Sequence, residues 1–152
     1  MDIQLTAERI VKLYGSRNPF SIAKDLGIIV LYEPLGSIRG YYSKSRRQKF
    51  IHINEELSEH AALFVCSHEL GHAILHKDAN TPFLRSNTLL SINKYEIEAN
   101  QFAACLLLPD YKLREFIEYE YTIEQAAACS GLPKSLVDYR LQSLLDAFSE
   151  KD

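Results

Sequence analysis

Apolar residues recur at helical spacing near the start of the chain, and polar residues separate them. The pattern predicts one helix whose apolar face covers residues 10–14 and which ends shortly afterwards at a glycine. A second short helix is predicted from Asn18 to Leu26, because Asn18 can cap it, Pro19 suits its first turn and Gly27 follows its end. The first part of the chain is therefore predicted to be helical.

The pattern changes at residue 28, where β-branched and apolar residues follow one another without interruption. Residues 28–32 are Ile-Ile-Val-Leu-Tyr, which is typical of a buried strand. Residues 40–42 and 49–53 are predicted as further strands, and the polar loop 43–48 joins them in a hairpin. We expect the strands to form a small antiparallel sheet.

The longest apolar segment covers residues 57–76 and is predicted to be a helix that Asn54 can cap. It is apolar most of the way round, which is typical of a buried helix. A long loop at 77–92 follows, and loops of that length in compact domains are often functional. Asn93 then caps a predicted helix that stops at Pro109.

In the last third of the chain every predicted element is a helix. Thr122 and Gln125 form a capping box, and a tight turn at 130–133 separates two helices that look like a helix-turn-helix. The whole chain is thus predicted to be α+β. Residues 1–109 form a core in which the small sheet packs on the long helix, and residues 110–152 form a helical extension packed on that core.

Composition and charge are those of a soluble globular protein with a buried core. Of 152 residues, 47% are hydrophobic and 24% charged, with a net charge of −3, so we expect one compact domain without a basic field for nucleic acid or membranes. No signal peptide is recognisable, and the apolar runs are too short to span a bilayer. Cys66, Cys105 and Cys129 are scattered, which indicates buried free thiols in a reducing compartment. We therefore expect a cytoplasmic protein with no membrane partner.

The long helix contains the motif H-E-x-x-H at His68, Glu69 and His72. Residues four apart lie on one face of a helix, so both imidazoles can bind one Zn²⁺ ion. Glu69 projects from the edge of that face and can act as general base on a water held by the ion. The alternative is a pair of hydrogen-bonded core histidines, but burying two imidazoles and a carboxylate without such partners costs free energy. We predict one Zn²⁺ per chain.

A catalytic zinc site needs a third protein ligand, and the next predicted helix offers one. Glu96 and Asn100 are four apart and share a face, whereas Glu98 points away from it into solvent. Glu96 is predicted as the third metal ligand, and Asn100 as a hydrogen-bond partner of a ligand histidine. Two alternatives remain, namely Glu98 as the ligand and Glu96 as the distal half of a capping box with Asn93.

The other histidines are interpreted as structural. His76 extends the row of His68 and His72 by one turn, too far along the helix to share their ion, and is expected in the core or behind a ligand. His52 lies on a predicted strand, and His60 lies at the start of the long helix.

Three stretches together resemble the ImmA/IrrE family of metallopeptidases. They are Ile-His-Ile-Asn at 51–54, His-Glu-Leu-Gly-His at 68–72 and the pattern E-x-x-A-N-x-F-A-A-x-L-L-L-P at 96–109. The third stretch is more specific than H-E-x-x-H alone, and the spacing between the stretches also fits. The resemblance covers roughly residues 5–145, which is most of the chain.

The resemblance implies a site-specific peptidase of bacterial cells. Members of this family, often encoded by phages or mobile elements, cleave helix-turn-helix repressors and so switch on the genes that those repressors silence. The first glutamate of the third stretch, here Glu96, is their third metal ligand. The strand before the zinc helix lines their substrate cleft, which implies that Phe50, Ile51, His52 and Ile53 bind an extended peptide as an added strand.

The C-terminal helices raise a second hypothesis, which is DNA binding. Residues 110–152 hold five Lys or Arg and nine Asp or Glu, a net charge of −4, against +1 for residues 1–109. A surface that follows phosphates needs the opposite sign. We expect this region to pack on the core or dock a partner, and we expect no direct nucleic-acid binding.

The favoured function is a zinc-dependent endopeptidase that cleaves a repressor, with Glu69 as base and later proton donor. The group that stabilises the oxyanion stays open among five reachable side chains, namely Tyr41, Tyr42, Tyr95, His76 and Arg85. The alternative is a non-proteolytic zinc-containing regulator that acts by binding a repressor or DNA. Four protein ligands would favour the regulator, and an open ligand position favours the peptidase.

Overall fold

The computed structural model describes residues 1–77 and 89–151, and within them the chain forms seven helices and three strands. In chain order the elements are α1 (Ile3–Tyr14), α2 (Pro19–Asp25), β1 (Ile29–Glu33), β2 (Gly40–Ser45), β3 (Gln48–Asn54), α3 (Glu59–Leu75), α4 (Leu89–Leu107), α5 (Asp110–Glu118), α6 (Ile123–Ser130) and α7 (Lys134–Ser149).

Side-chain caps explain where several helices begin. Asn18 caps α2 as predicted, and its side-chain oxygen accepts a backbone N–H of the first turn at 2.9 Å. The capping box of Thr122 and Gln125 is present at the start of α6. The cap predicted for the long helix is wrong, because α3 begins after Ser58, whose hydroxyl accepts the N–H of Ala61 at 3.2 Å.

Asn54, the residue predicted to cap the long helix, lies buried at the end of β3 instead. Its side-chain amide donates to the carbonyl oxygens of Gly36 and Ile38, both at 2.9 Å. Its Oδ1 accepts the N–H of Glu56 at 3.0 Å. Asn54 therefore holds the connection between β1 and β2 against the end of β3.

The start of α4 also differs from the prediction. The helix begins at Leu89, before the predicted cap Asn93, so Asn93 lies within the helix. Leucine is a good helix former, and the two leucines at 89–90 extend the helix beyond the polar residue that looked like a cap. Most of the predicted loop 77–92, including Arg85, lies outside the described residues.

The three strands form one mixed sheet in the order β1–β3–β2. β2 and β3 pair antiparallel as the predicted hairpin, with Tyr42 opposite Ile51. β1 pairs in parallel with the other edge of β3, with Val30 opposite Ile51, so the predicted antiparallel arrangement is wrong for this pair. The apolar pattern of a strand does not encode which neighbour it takes or in which direction. The α+β class is confirmed.

α3 lies between the sheet and α4, which explains why it is apolar most of the way round. Ile51 and Ile53 of β3 are fully buried on the sheet face towards α3. On the other side of α3, Gly71 meets α4 so closely that a Cβ there would lie 3.2 Å from the Cα of Ala99 and from Phe102. A side chain at residue 71 would therefore require α4 to shift away from α3.

The opposite face of the sheet is more exposed than the sequence predicts. Ile29 and Leu31 of β1 are 43% and 37% exposed. They alternate with Val30, which packs on the core, so they lie on the face away from α3. The prediction of a buried strand is wrong for β1 because it is an edge strand with only one face covered among the described residues.

The C-terminal helices pack on α3 and α4 through a second apolar cluster. Its buried members are Phe64, Ala103, Ala104, Leu108, Leu113, Ala126, Leu132, Val137 and Leu144. Arg140 of α7 is 1% exposed, and it donates from Nε to the carbonyl of Leu108 at 2.8 Å and from Nη2 to Asp110 Oδ1 at 2.5 Å. These bonds fasten α7 to the junction of α4 and α5. The division between 1–109 and 110–152 stays a prediction.

None of the described helices is both long and apolar enough to cross a bilayer. The three cysteines carry free thiols, and Cys66 and Cys105 are buried as predicted. Cys129 is exposed. The prediction of burial is wrong there because α6 lies at the surface and buries only Ala126 and Ser130.

Candidate metal centre

Two histidines of α3 and one glutamate of α4 converge on a common point. The Nε2 atoms of His68 and His72 lie 3.2 Å apart. The Glu96 carboxylate closes the triangle, with Oε2 2.9 Å from Nε2 of His68 and Oε1 3.1 Å from Nε2 of His72. Among the described residues, these three side chains are the group whose ligand atoms lie close enough together to hold one metal ion.

The spacing of the three side chains fits a Zn²⁺ ion. Ligand atoms at ~2.0–2.1 Å from a tetrahedral ion lie about 3.3 Å from one another, and the separations here are 2.9, 3.1 and 3.2 Å. Two imidazoles and one carboxylate also form a donor set typical of catalytic zinc, which leaves the fourth position for water or substrate. The structure therefore brings together the three residues that the sequence predicts as ligands.

The electrostatics of the triangle favour a positive charge between the helices. Burial acts to lower the pKa of His68, but its hydrogen bond to Glu96 and the charges of Glu69 and Glu96 outweigh burial, so the pKa is raised. Burial acts to raise the pKa of Glu96, but its contacts with His68 and His72 hold that pKa well below its usual range. A divalent cation fits such a site better than a neutral molecule does.

Asn100 orients the first histidine. Its Oδ1 lies 2.7 Å from Nδ1 of His68. The ring therefore donates its Nδ1–H to the amide oxygen and leaves Nε2 free for a metal ion. Glu96 and Asn100 face the same side of α4, one turn apart, as their spacing predicts.

Glu69 lies beside the three clustered side chains without joining them. The residue is 3% exposed, and its Oε1 is 4.0 Å from Nε2 of His68. It lines the same cleft as His68 and Glu96. A carboxylate in this position can accept a proton from a water that lies between it and the ligand atoms.

The cleft above the triangle has a volume of about 320 Å³. Its floor and one wall come from α3 and α4, and the other wall comes from the β1–β2 connection and the start of β2. The lining residues are Ser37, Ile38, Arg39, Gly40, Phe64, Val65, His68, Glu69, Glu96 and Asn100. The cleft is therefore large enough to admit part of a peptide chain to the open side of the triangle.

Sequence reasoning missed the wall at residues 37–40. Arg39 is its only charged side chain, and no motif marks it. Gly40 is the residue whose lack of a side chain matters here, because a Cβ at this position would lie 2.6 Å from both the carbonyl oxygen of His52 and Cγ1 of Val65. Gly40 therefore allows the start of β2 to lie close against α3 beside the cleft.

Comparison with known proteins agrees with this geometry. Residues 23–142 match the family of IrrE N-terminal-like domains. The chain belongs to the ImmA/IrrE family of metallopeptidases. It is 42% identical over 147 residues to "Uncharacterized immunity region protein 2" of Bacillus phage phi105, covering 96% of this chain and 93% of that protein. It is 34% identical over 153 residues to "Metallopeptidase ImmA" of Bacillus subtilis strain 168, covering 98% of this chain and 89% of that protein.

A solved structure supports the fold of this ImmA/IrrE metallopeptidase. The chain superposes on a Mycobacterium tuberculosis transcriptional regulator with a TM-score of 0.66 and 18% sequence identity. The match covers 92% of this chain but 46% of the regulator's chain, so the shared part is less than half of that protein. At this identity the likeness concerns the fold alone.

The strand implied as the peptide-binding element cannot serve in that way in this metallopeptidase. Residues 50–53 lie on β3, which is the central strand and pairs with β1 on one edge and β2 on the other. An added strand needs a free edge. Ile51 and Ile53 are also fully buried in the core. The implied contact of these residues with an added peptide strand is therefore corrected, because the pairing of β3 is decided by the tertiary fold.

His52 lies on the sheet face away from the metal centre. Its Nδ1 is 2.5 Å from Glu33 Oε1, and its Nε2 is 2.8 Å from Ser43 Oγ. The ring of Tyr41 stacks on it at 4.0 Å between centroids. Both ring nitrogens are engaged, which agrees with a structural interpretation. Neither His52 nor Phe50 lines the cleft.

The structure places every described candidate for the oxyanion-stabilising group outside the lining of the cleft. Tyr42 is fully buried, and its hydroxyl donates to the carbonyl of Lys77 at 3.5 Å. Tyr41 stacks on His52 on the far face of the sheet, and the ring of Tyr95 lies against His76 at 4.2 Å between centroids, tilted by 39°. The cleft is lined by none of these three tyrosines and not by His76. Arg85 lies outside the described residues.

The prediction that Glu98 points into solvent is wrong. Its side chain is 14% exposed, and its Oε1 lies 3.8 Å from Nε2 of His76. Burial is the largest effect on His76 and lowers its pKa to about 4. Glu98 faces α3 because α4 packs closely against α3 at Gly71, and helical spacing alone does not reveal this packing.

Proposed function

We propose that this protein is a zinc-dependent endopeptidase that cleaves a helix-turn-helix transcriptional repressor and thereby relieves repression. The observation that carries the proposal is the triangle of His68, His72 and Glu96 ligand atoms at the floor of a cleft that also contains Glu69. We propose one Zn²⁺ per chain and a cytoplasmic location, where repressors and reduced thiols are found.

The residues of the site can each be given a role in peptide hydrolysis. His68, His72 and Glu96 would hold the ion. When bound, the ion would act as a Lewis acid that lowers the pKa of water and polarises the scissile carbonyl. Glu69 accepts a proton from the attacking water and later donates it to the leaving amine. Asn100 keeps His68 in the orientation that directs Nε2 to the ion.

The substrate segment is proposed to lie along the wall formed by residues 37–40 and the start of β2. β2 is an edge strand among the described strands, so an extended peptide can pair with its free edge. Arg39 lines this wall and can contact a peptide carbonyl or an acidic side chain. The scissile bond then lies above the triangle and beside Glu69.

The proposal of a repressor substrate comes from the relatives. One is named an immunity region protein of a phage, and another is named the metallopeptidase ImmA. The resemblance to the ImmA/IrrE family, whose members cleave helix-turn-helix repressors, implies such a substrate for this chain. The helices of 110–152 supply a surface for docking that repressor, and their net charge of −4 disfavours direct DNA binding.

The alternative function is a non-proteolytic zinc-containing regulator that binds a repressor or DNA. The observation that favours it is the arrangement of α6 and α7, two helices joined by a tight turn at Gly131 with φ +75°. Against it, the ligand atoms of three side chains converge among the described residues, and the side of this group that no protein ligand fills faces the cleft. A site with an open position favours catalysis over a structural ion.

Purified protein incubated with the repressor encoded beside its gene tests the proposal, with fragments identified by mass spectrometry. The wild type should cleave at one site, and Glu69→Gln should lose about 10²- to 10⁴-fold in rate while it still binds Zn²⁺ and the repressor. Glu59→Gln is the matched control, because Glu59 is an exposed glutamate of the same helix. A Glu69→Gln protein that relieves repression in cells as well as wild type would favour the binding regulator.

A further inference from the structure

His76 extends the histidine row of α3, but its ring points away from the clustered ligand atoms. His68, His72 and His76 follow at intervals of four residues, and only the first two direct Nε2 towards Glu96. His76 is the C-cap residue of α3, with a non-helical backbone at φ −126° and ψ 56°. Its Nδ1 lies 3.0 Å from Nδ1 of His72. His76 therefore lies behind His72 as seen from the cleft.

This contact determines which ring nitrogens carry protons when a metal is bound. A histidine that binds a metal ion through Nε2 carries its proton on Nδ1. His72 must then donate from Nδ1, and His76 must accept at Nδ1. A neutral His76 that accepts at Nδ1 carries its own proton on Nε2.

Glu98 lies on the side to which that Nε2 proton points. Its Oε1 is 3.8 Å from Nε2 of His76, and the two side chains are 14% and 3% exposed. This separation is longer than a direct hydrogen bond and suits a bridging water or a purely electrostatic contact. Nε2 of His76 has no hydrogen-bond partner among the described residues. The Glu98 carboxylate is therefore the negative group that faces the Nε2 proton of His76.

We propose that His76 and Glu98 are positioning residues for the metal centre: His76 holds His72 in the tautomer that leaves Nε2 to the ion, and Glu98 holds His76. Ligand histidines commonly donate their second N–H to a carboxylate, a carbonyl or a water. Here an imidazole stands between the ligand and the carboxylate. The proposal rests on the proposed metal site and does not depend on which peptide is cleaved.

Zn²⁺ affinity of full-length variants, measured by competition with a chelator, tests the proposal. His76→Phe keeps an aromatic ring but removes the acceptor, and it should weaken Zn²⁺ binding about 10- to 100-fold. His76→Asn places a side-chain oxygen near the position of Nδ1 and should restore most of that loss. Glu98→Gln should weaken binding by up to about tenfold, whereas Glu118→Gln, at an exposed position of α5, should bind as wild type does.

NMR of the ring nitrogens in the Zn²⁺-loaded wild type gives a second readout that needs neither a variant nor activity. The two neutral tautomers of an imidazole have different nitrogen shifts, and His76 should be protonated on Nε2. Protonation of His76 on Nδ1 would overturn the proposal. So would a His76→Phe variant that binds Zn²⁺ as tightly as wild type.

The experiment separates this proposal from the proposed function. If the wild type binds Zn²⁺ but hydrolyses no repressor, the peptidase proposal fails, and the affinity ratios still decide the role of His76. If His76→Phe does not fold, Glu98→Gln and the tautomer of the wild-type His76 decide it. A wild-type protein that binds no Zn²⁺ overturns both proposals.

Discussion

Each imidazole in the candidate metal centre directs one ring nitrogen towards the ligand cluster and the other towards a protein partner. His68 has Asn100 at 2.7 Å, and His72 has His76 at 3.0 Å. These partners limit the rotation of both rings, so the two Nε2 atoms stay on the side that faces Glu96. Restricting ligand side chains to the orientation in which they bind lowers the conformational cost of binding an ion.

Removal of a single ligand side chain should abolish most metal binding. His68→Ala, His72→Ala and Glu96→Gln should each weaken Zn²⁺ binding by far more than the roughly 10- to 100-fold loss of affinity that is typical of a residue behind a ligand. The purified variants should therefore contain little Zn²⁺. Metal analysis together with chelator competition measures this. Glu118→Gln serves as the control. A full equivalent of Zn²⁺ in either histidine variant would refute the ligand assignment.

At the scale of whole elements, the site depends on how closely α3 and α4 approach. Gly71 lies between the two ligand histidines in the sequence, and a Cβ there would lie 3.2 Å from Ala99 and Phe102 of α4. Glu96 belongs to the same stretch of α4. The helix contact therefore sets the distance from Glu96 to the histidines as well as the packing of the core.

Gly71→Ala should destabilise the protein and weaken Zn²⁺ binding together. In an exposed helix the same change would stabilise by about 1 kcal/mol, but here the new methyl group has to push α4 away, at about 1–3 kcal/mol. Thermal unfolding in chelator measures the first effect, and chelator competition measures the second. A more stable variant with unchanged affinity would contradict this account of the helix contact.

The α6–α7 pair should not bind DNA specifically. Residues 110–152 carry a net charge of −4, and Arg140, one of their five basic residues, is buried in contact with Asp110. Gel-shift assays with the operator of the associated repressor should show no specific shift at physiological salt, with the repressor itself as positive control. A salt-resistant, sequence-specific shift would promote the regulator hypothesis.

At the scale of the whole molecule, two apolar clusters share α3 and α4. The first joins the sheet, α1 and α2 to α3 and α4, and the second joins α3 and α4 to the C-terminal helices. The metal centre lies on the same two shared helices. Metal binding and global stability are therefore coupled, because ligands that bind only the folded state stabilise it.

The stabilisation by Zn²⁺ should depend on pH. Without metal the raised pKa of His68 means that its proton stabilises the fold at pH values below the unfolded pKa, and this contribution is lost as pH rises through the folded pKa. Zn²⁺ requires the unprotonated ring and competes with that proton. The rise in Tm with Zn²⁺ should be larger at about pH 8 than at about pH 6. Each tenfold loss of Zn²⁺ affinity lowers the stabilisation of the folded state by the bound ion by about 1.4 kcal/mol.

Thermal unfolding with and without Zn²⁺ at both pH values measures this dependence. His68→Ala should remove most of the Zn²⁺-dependent rise in Tm at either pH. An equal rise at both values in the wild type would mean that His68 gives up no proton on metal binding.

Local sequence determined the chemistry of the candidate site and most of the helices. The interval of four residues places His68 and His72 on one face of α3, and the same interval places Glu96 and Asn100 on one face of α4. Capping residues marked the starts of α2 and α6. These features depend on neighbours within a few residues, so the sequence contains the information that decides them.

Only the tertiary structure decided which strand edges are free, what lines the cleft and what faces Glu98. β3 is the central strand because β1 pairs with the edge of β3 that β2 leaves free. That pairing excluded residues 50–53 as a peptide-binding edge. Arg39 reaches the cleft because Gly40 allows β2 to approach α3. Glu98 meets His76 because of the way in which α4 crosses α3. Each is a contact between segments distant in sequence, and no local pattern of hydrophobic and polar residues specifies such a contact.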